Sequence, residues 1–290
     1  MNPQRLSLPT ADYFVVRSES FEEDLAAMRD GEADAVRLWD WRYDGRSVEL
    51  LASVPTLRHV AVQWSRALPF ELDCLAEAVP NMVSLLVGVP KPRIDISRFE
   101  RLRGFRGVWA PGVRVADTKA RLVHLMLRGF RPKQRTLHSI GELASLQFLE
   151  LVQGGFDSLD GLAELQHLES MELHYNRSLS SLAALAAPGW RSLRRLQIEY
   201  TSGIEDYDPL RHLTQLDALT IKRSAPIASI DFLRGMTALG RIDLSFTRIE
   251  DGDMRPLLER RWRSVRFTSR REYTHTCPEV VKAVVDFSPN

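Results

Sequence analysis

The stretch Leu137-His-Ser-Ile140-Gly-Glu-Leu143-Ala-Ser-Leu146-Gln-Phe-Leu149-Glu-Leu151 decides the fold. Its apolar residues fall at every third position up to Leu149 and then at a two-residue step to Leu151. Three residues advance roughly 300° around an α-helix, so such a stripe drifts off any single helical face. It stays straight only on a backbone with three residues per turn, a 3₁₀ or polyproline-like segment. The two-residue step is that of a β-strand showing one face to a core. The unit is therefore a short strand joined to a narrow return segment. One such unit cannot bury its leucines alone, so copies must stack and share a continuous core.

Copies are present. The pattern returns as Leu159, Leu162, Leu165, Leu168, Met171, Leu173, again as Leu210, Leu213, Leu216, Leu219, Ile221, and again as Ile227, Ile230, Leu233, Met236, Leu239, Ile242, Leu244. A period in this range marks a solenoid. Strand cores are expected at Val36/Leu38, Val60/Val62, Leu85/Val87, Phe105/Gly107, Leu125/Leu127, Leu149/Leu151, Met171/Leu173, Leu196/Ile198, Leu219/Ile221, Ile242/Leu244 and Val265/Phe267, about eleven repeats in all. The spacing is regular from Leu137 onward and degenerate before it; Gly107 stands where an apolar residue belongs.

The pattern Leu-x-x-Leu-x-x-Leu-x-x-Leu-x-Leu resembles the leucine-rich repeat, and the short repeat resembles the internalin-like class, which implies a bacterial protein. The resemblance implies an α/β solenoid, with a curved parallel sheet on the concave face and 3₁₀ or irregular return segments on the convex face. The family's Asn beyond the strand is present as Asn176, while Thr201, Ser224 and Thr247 hold the matching places. A hydroxyl can bond the same turn backbone in place of the amide. The expected division is an N-terminal cap over 1–34, the repeats over 35–268 and a C-terminal cap helix over 269–290. Ser20-x-x-Glu23 reads as a capping box for a helix carrying Phe21, Leu25 and Met28, and Asp12–Val16 as an edge strand before it. Thr276-Cys-Pro-Glu279 reads as the start of the last helix, with Val280, Val281, Val284 and Val285 as its apolar face.

Length and composition fit one folded unit. The 290 residues are 44% hydrophobic, no Gly/Ser/Pro-rich linker interrupts them, and no apolar run reaches membrane-spanning length. The first ten residues carry no signal-peptide stretch, and Cys74 and Cys277 form neither a disulfide framework nor a metal motif. The expected setting is the reducing cytoplasm. The net charge of +1 conceals segregation: residues 91–135 carry 13 basic and 3 acidic side chains, residues 136–220 carry 5 and 12. Such bands steer charged partners even when the whole chain is nearly neutral.

No P-loop, G-x-S-x-G or G-x-G-x-x-G motif occurs, and the seven histidines show no zinc spacing. No cofactor or metal is expected, and the chain reads as non-catalytic. The resemblance implies recognition of a protein through the concave sheet, as a scaffold, adaptor, inhibitor or immunity-type protein. The outward columns of that sheet give the candidate partner-binding residues: Arg37, Trp39, Glu150, Glu172, His174, Tyr175, Glu199, Tyr200, Asp243 and Phe246. Their centre is an acidic patch over 150–200 edged with tyrosines, which suits a partner with a basic patch. An alternative is a nucleic acid or other anionic ligand on the basic band, through Arg101, Arg103, Arg106 and Arg128, with Trp109 and Phe130 as stacking faces. The acidic bands on either side would repel a polyanion lying along the solenoid. A third reading makes His174 and its glutamates an acid/base or metal site.

Overall fold

The structure, a computed structural model, describes residues 13–31, 33–40, 42, 48–63, 72, 74–114 and 121–284. Val285 and the outermost residues of both expected caps lie outside the described residues. The chain falls into two compact units, Met1–Gly129 and Phe130–Asn290. The regular spacing that starts at Leu137 belongs to the second.

In the first unit, β1 (Phe14–Val15), β2 (Ala35–Trp39), β3 (His59–Gln63), β4 (Ser84–Gly88), β6 (Gly104–Val108) and β8 (His124–Arg128) pair in that order, all parallel. On the return side, β5 (Ile94–Asp95) and β7 (Val113–Arg114) form a separate parallel pair. In the second unit, β9 (Phe148–Val152), β10 (Ser170–His174), β11 (Arg195–Glu199), β12 (Ala218–Lys222), β13 (Arg241–Leu244) and β14 (Ser264–Phe267) are parallel and paired in sequence order. Every strand core expected from the two-residue step lies on one of these strands.

The three-residue step has a direct structural cause. Leu162, Leu165 and Leu168 each donate their N–H to the carbonyl three residues back, at 3.1, 3.0 and 3.1 Å. Leu210, Leu213 and Leu216 do the same at 3.0, 3.0 and 3.1 Å, and Leu233, Met236 and Leu239 at 3.0, 3.1 and 3.1 Å. Each turn brings the next leucine back under the previous one, so one line of side chains points into the core. All nine of these residues are buried, and a fully buried leucine contributes about 1.5–3 kcal/mol from apolar area. Where the front of the chain departs from the pattern, packing compensates. Phe105 is fully buried, and its ring lies where a side chain at Gly107 would stand, 2.8 Å from the position of the missing Cβ.

The ends differ from expectation in one respect. Helix α1 (Phe21–Asp30) forms and buries Leu25 and Met28, but Ser20 makes no capping bond to the backbone. Its hydroxyl turns to the Asp24 carboxylate at 3.1 Å, which also accepts from Arg17 N at 2.8 Å and Arg17 Nη2 at 2.7 Å. A 3₁₀ turn over Ser18–Ser20 leads directly into the helix, so the carboxylate at 24, not Glu23, gathers the donors. The hydrogen bonds from Arg17 hold Asp24 below the usual carboxylate range, against its burial. At the other end the helix Cys277–Val284 starts as read: Thr276 N–H donates to Glu279 at 2.7 Å, and Val280 and Val284 are buried. No helix among the described residues is long and apolar enough to cross a membrane.

Candidate binding site on the open face of the sheet

Beyond each of the strands β9 to β13 the backbone makes the same turn. Gln153, Tyr175, Tyr200, Arg223 and Phe246 all have left-handed φ, between 46° and 63°. Such a conformation costs a non-glycine residue about 1–3 kcal/mol and persists only where surrounding contacts enforce it. After Tyr175, Arg223 and Phe246 the next residue supplies such contacts to the preceding repeat. Asn176 Nδ2 donates to Leu151 O at 2.9 Å and its Oδ1 accepts from Gly154 N at 2.7 Å. Ser224 reaches Ile198 O at 3.4 Å and Thr247 reaches Ile221 O at 3.0 Å, the equivalent carbonyls of their preceding strands. Thr247 Oγ1 also accepts from Ser224 N at 3.4 Å. At Ser224 and Thr247 hydroxyls do stand in for the amide, with longer bonds, whereas the Thr201 hydroxyl turns to Glu199 O of its own repeat at 3.2 Å.

This turn ends a row of carboxylates. Glu150 is level with Glu172, and His174 with Glu199, on neighbouring strands. Parallel strands lie about 4.8 Å apart, so like charges at this spacing oppose sheet formation. The imidazole relieves them. His174 Nε2 is 3.4 Å from Glu172 and Nδ1 is 3.8 Å from Glu199, while Gln197 donates to Glu199 at 3.0 Å. The hydrogen bond to Glu172 and the charges of Glu172, Glu150 and Glu199 raise the His174 pKa, against partial burial. Glu150, Glu172 and His174 also place ligand atoms within 4.8 Å of one another. Two carboxylates and an imidazole are chemically able to hold a divalent ion; the row is equally accounted for by the pairing just described.

A raised folded pKa means that the charged imidazole stabilises the fold below the unfolded value of about 6.5, and that this contribution is lost as pH rises through the folded value. His174→Gln is therefore expected to be less stable than the parent near pH ~5 and to approach it near pH ~8. Urea unfolding at the two pH values checks this, and a gap that does not narrow on the alkaline side would refute it.

Beside the carboxylates the left-handed residues form a stack. The Tyr175 and Tyr200 rings lie 4.5 Å apart and 9° from parallel. The Arg223 guanidinium sits 5.4 Å from the Tyr200 centroid and 4.6 Å from that of Phe246, and donates to the Tyr200 hydroxyl. Tyr175 is 42% exposed and Phe246 59%. A cation over an aromatic face is held by the ring quadrupole, so the order Tyr175, Tyr200, Arg223, Phe246 forms one continuous ladder with solvent-facing aromatic ends. Arg223 was not singled out in the sequence; its signal is that it shares the tyrosines' column.

The chain superposes on an internalin (inlF) from Listeria monocytogenes with a TM-score of 0.56 at 17% identity, over 91% of this chain and 76% of that one. The chain has the leucine-rich-repeat fold. An internalin C2 (inlC2) from the same species aligns over 72% of this chain and 78% of its own, at 19% identity and a TM-score of 0.42. The InlJ functional domain, also from Listeria monocytogenes, aligns over 69% and 51%, at 14% and 0.43. No protein-family model and no curated protein matches the sequence.

Across the leucine-rich repeats, the other candidate residues scatter. Asp243 is taken up by Lys222 at 2.9 Å and by Ser245 N and Oγ at 3.0 and 2.6 Å. Burial raises its pKa, and these hydrogen bonds outweigh that and leave it below the usual range. Arg37 and Trp39 belong to the first unit, where the Arg37 guanidinium lies 5.0 Å from the Tyr13 centroid and Trp39 is 40% exposed. The arginine band does not share one face. Arg106 and Arg128 stand on the open side of β6 and β8, whereas Arg101 donates to Asn81 at 2.7 Å and Arg103 to Arg121 O at 3.3 Å, outside the strands. Phe130 is buried at 4% exposure and offers no stacking face, because its ring joins the core.

Proposed function

We propose that this protein is a non-catalytic protein-recognition module that grips its partner with the open face of the second unit's sheet. The observation that carries the reading is the exposed ladder Tyr175, Tyr200, Arg223, Phe246 beside the Glu150, Glu172, Glu199 row. Aromatic residues and arginine dominate binding energy at protein interfaces because they bury much area for little lost conformational freedom. Here they are already stacked, so less ordering remains to be done on binding. Recognition by a solenoid through its sheet also accords with the fold's architecture, in which side chains of successive repeats form one extended surface.

The test is quantitative capture from a lysate of the source organism, followed by affinity measurement with the purified partner. Tyr200→Ala and Phe246→Ala are each expected to weaken binding about tenfold or more, corresponding to ~1.4 kcal/mol. Replacing Arg101, Arg103, Arg106 and Arg128 together by Gln is expected to leave it within about twofold, since no shared face unites them. The reverse result, with a binding curve that falls steeply with salt in the parent and flattens in the arginine variant, would move a nucleic acid to first place.

A further inference from the structure

We infer that the last repeat of the second unit is a seat for an acidic segment of the partner, held by Arg248, Arg266, Arg270 and Arg271 around the exposed ring of Phe246. This rests on the recognition reading above and names the chemistry at one end of that face. Residues 260–276 carry six arginines and one carboxylate, Glu272. Three of the six have structural duties. Arg260 donates to Leu233 O and Met236 O, Arg261 donates to Ala283 O at 3.1 Å, and Arg263 pairs with Asp217. Arg266, Arg270 and Arg271 are exposed and make no side-chain hydrogen bond or ion pair among the described residues, and neither does Arg248 in the preceding repeat.

The fold brings these four together with Phe246. Phe246 N–H donates to Thr268 Oγ1 at 2.9 Å, Ile249 N–H to the Tyr273 hydroxyl at 2.9 Å, and Tyr273 N–H to Arg270 O at 3.2 Å. The turn that holds Phe246 and Arg248 therefore lies against the turn that holds Arg270 and Arg271. Arg266 stands on β14 level with Asp243, whose carboxylate is already taken up by Lys222. Glu250, Asp251 and Glu272 are near in sequence but form no ion pair with the four, and the other arginines of the last repeat keep its charge positive. Phe246 is 59% exposed, with the Arg223 guanidinium 4.6 Å from its centroid. Like charges gathered without counter-charge oppose the folded state, and no contact within the chain offsets that here. A carboxylate supplies what is missing, and a guanidinium offers it paired donors. Glu150, Glu172 and Glu199 stand three to five strands away, about 14 Å or more. That is beyond a Debye length in physiological salt, so they leave the potential around Phe246 positive, yet they oppose a polyanion running on along the sheet. The occupant that fits is a short acidic stretch of a protein, with an apolar side chain to lie on the Phe246 ring.

The full chain is titrated, in low and in physiological salt, with the blocked peptide Gly-Asp-Asp-Phe-Asp-Asp-Gly, with the same sequence carrying asparagine for aspartate, and with an oligothymidylate of about eight nucleotides, while the Phe246 ring resonances are followed by NMR. The aspartate peptide is expected to bind at least about tenfold more tightly than the asparagine peptide in low salt, to shift the Phe246 ring protons, and to weaken as salt rises. Arg266→Gln, Arg270→Gln and Arg271→Gln together are expected to lower its affinity to the asparagine-peptide level. Arg131→Gln, Arg177→Gln and Arg191→Gln remove the same charge elsewhere in the unit and are expected to leave it within about twofold. Equal affinities for the two peptides in the parent, no binding of either, equal losses in the two triple variants, or tighter binding of the oligothymidylate through the same arginines would each overturn the inference. The parent comparison needs no variant to fold. With the purified partner the two readings separate. Binding that survives the Arg266, Arg270, Arg271 replacement but is lost on Tyr200→Ala removes the acidic contact and leaves recognition by this face. Binding indifferent to both changes removes both.

Discussion

Asn176→Ala is expected to lower the unfolding free energy by about 2–4 kcal/mol, because a fully buried amide and two of its backbone partners are lost together. Asn176 has no exposed surface, and its bonds to Leu151 O and Gly154 N tie the turn after β10 to the end of the β9 strand. Alanine leaves both partners without that group, in a place too tightly packed for easy rehydration. The chain supplies its own graded control. Thr247 and Ser224 occupy the same place in later repeats and reach the equivalent carbonyls through hydroxyls at 3.0 and 3.4 Å. Asn176→Thr should therefore recover about half of the loss, since the carbonyl bond returns while the amide's fit is poorer. Urea midpoints with unchanged slope are the measurement. A loss below about 1 kcal/mol for the alanine variant would mean that the ladder of turns is held by the strands alone. The left-handed conformation of Tyr175, on which the stack depends, would then need another cause.

The switch from a three-residue to a two-residue step was legible because each period has one physical source: an i to i−3 hydrogen bond along the return segment, then alternation across a pleated strand. Both leave apolar residues at fixed places whatever the surface does. Gly107 broke that pattern, and only the packing shows why: the Phe105 ring supplies the missing volume. The glutamate row was readable as a column because repeat length sets strand register, and Glu150 does stand level with Glu172. The stack was only half readable. Its members are Tyr, Tyr, Arg and Phe, with Gln153 in the same column, and no composition rule unites them. What they share is a left-handed backbone, enforced from the neighbouring Asn, Thr and Ser rather than by their own preference. Capping failed for a related reason. Ser20 and Glu23 have the right spacing, but the donors of Arg17 are gathered by Asp24, and the competition between two nearby carboxylates is decided by geometry in space.

Gly161→Ala is expected to cost about 3–5 kcal/mol, by far more than an ordinary surface glycine, because two penalties coincide there. The residue has φ of +98°, and a Cβ would stand 2.5 Å from both the Cα and the N of His138. Those are backbone atoms at the start of the helical turn His138–Gly141, which cannot rotate away as a side chain could. The adjacent bond from Leu137 N to Asp160 O, 2.8 Å long, holds the two return segments at this distance. Gly129→Ala isolates the conformational part: its φ is +75°, but nothing lies within 4 Å of the added carbon. It should cost only about 1–2 kcal/mol, so the difference between the variants measures the clash. The consequence reaches the open face. Forcing the return segments of the β9 and β10 repeats apart changes the angle at which those strands meet, and with it the spacing of Glu150, Glu172 and His174. In the Gly161→Ala protein, under conditions where it remains folded, the His174 imidazole should titrate closer to the ordinary histidine value than in the parent. NMR of the ring protons reads this directly. An unchanged His174 titration together with a large loss of stability would show that the sheet absorbs distortion on its return side without passing it to the face that carries the carboxylates.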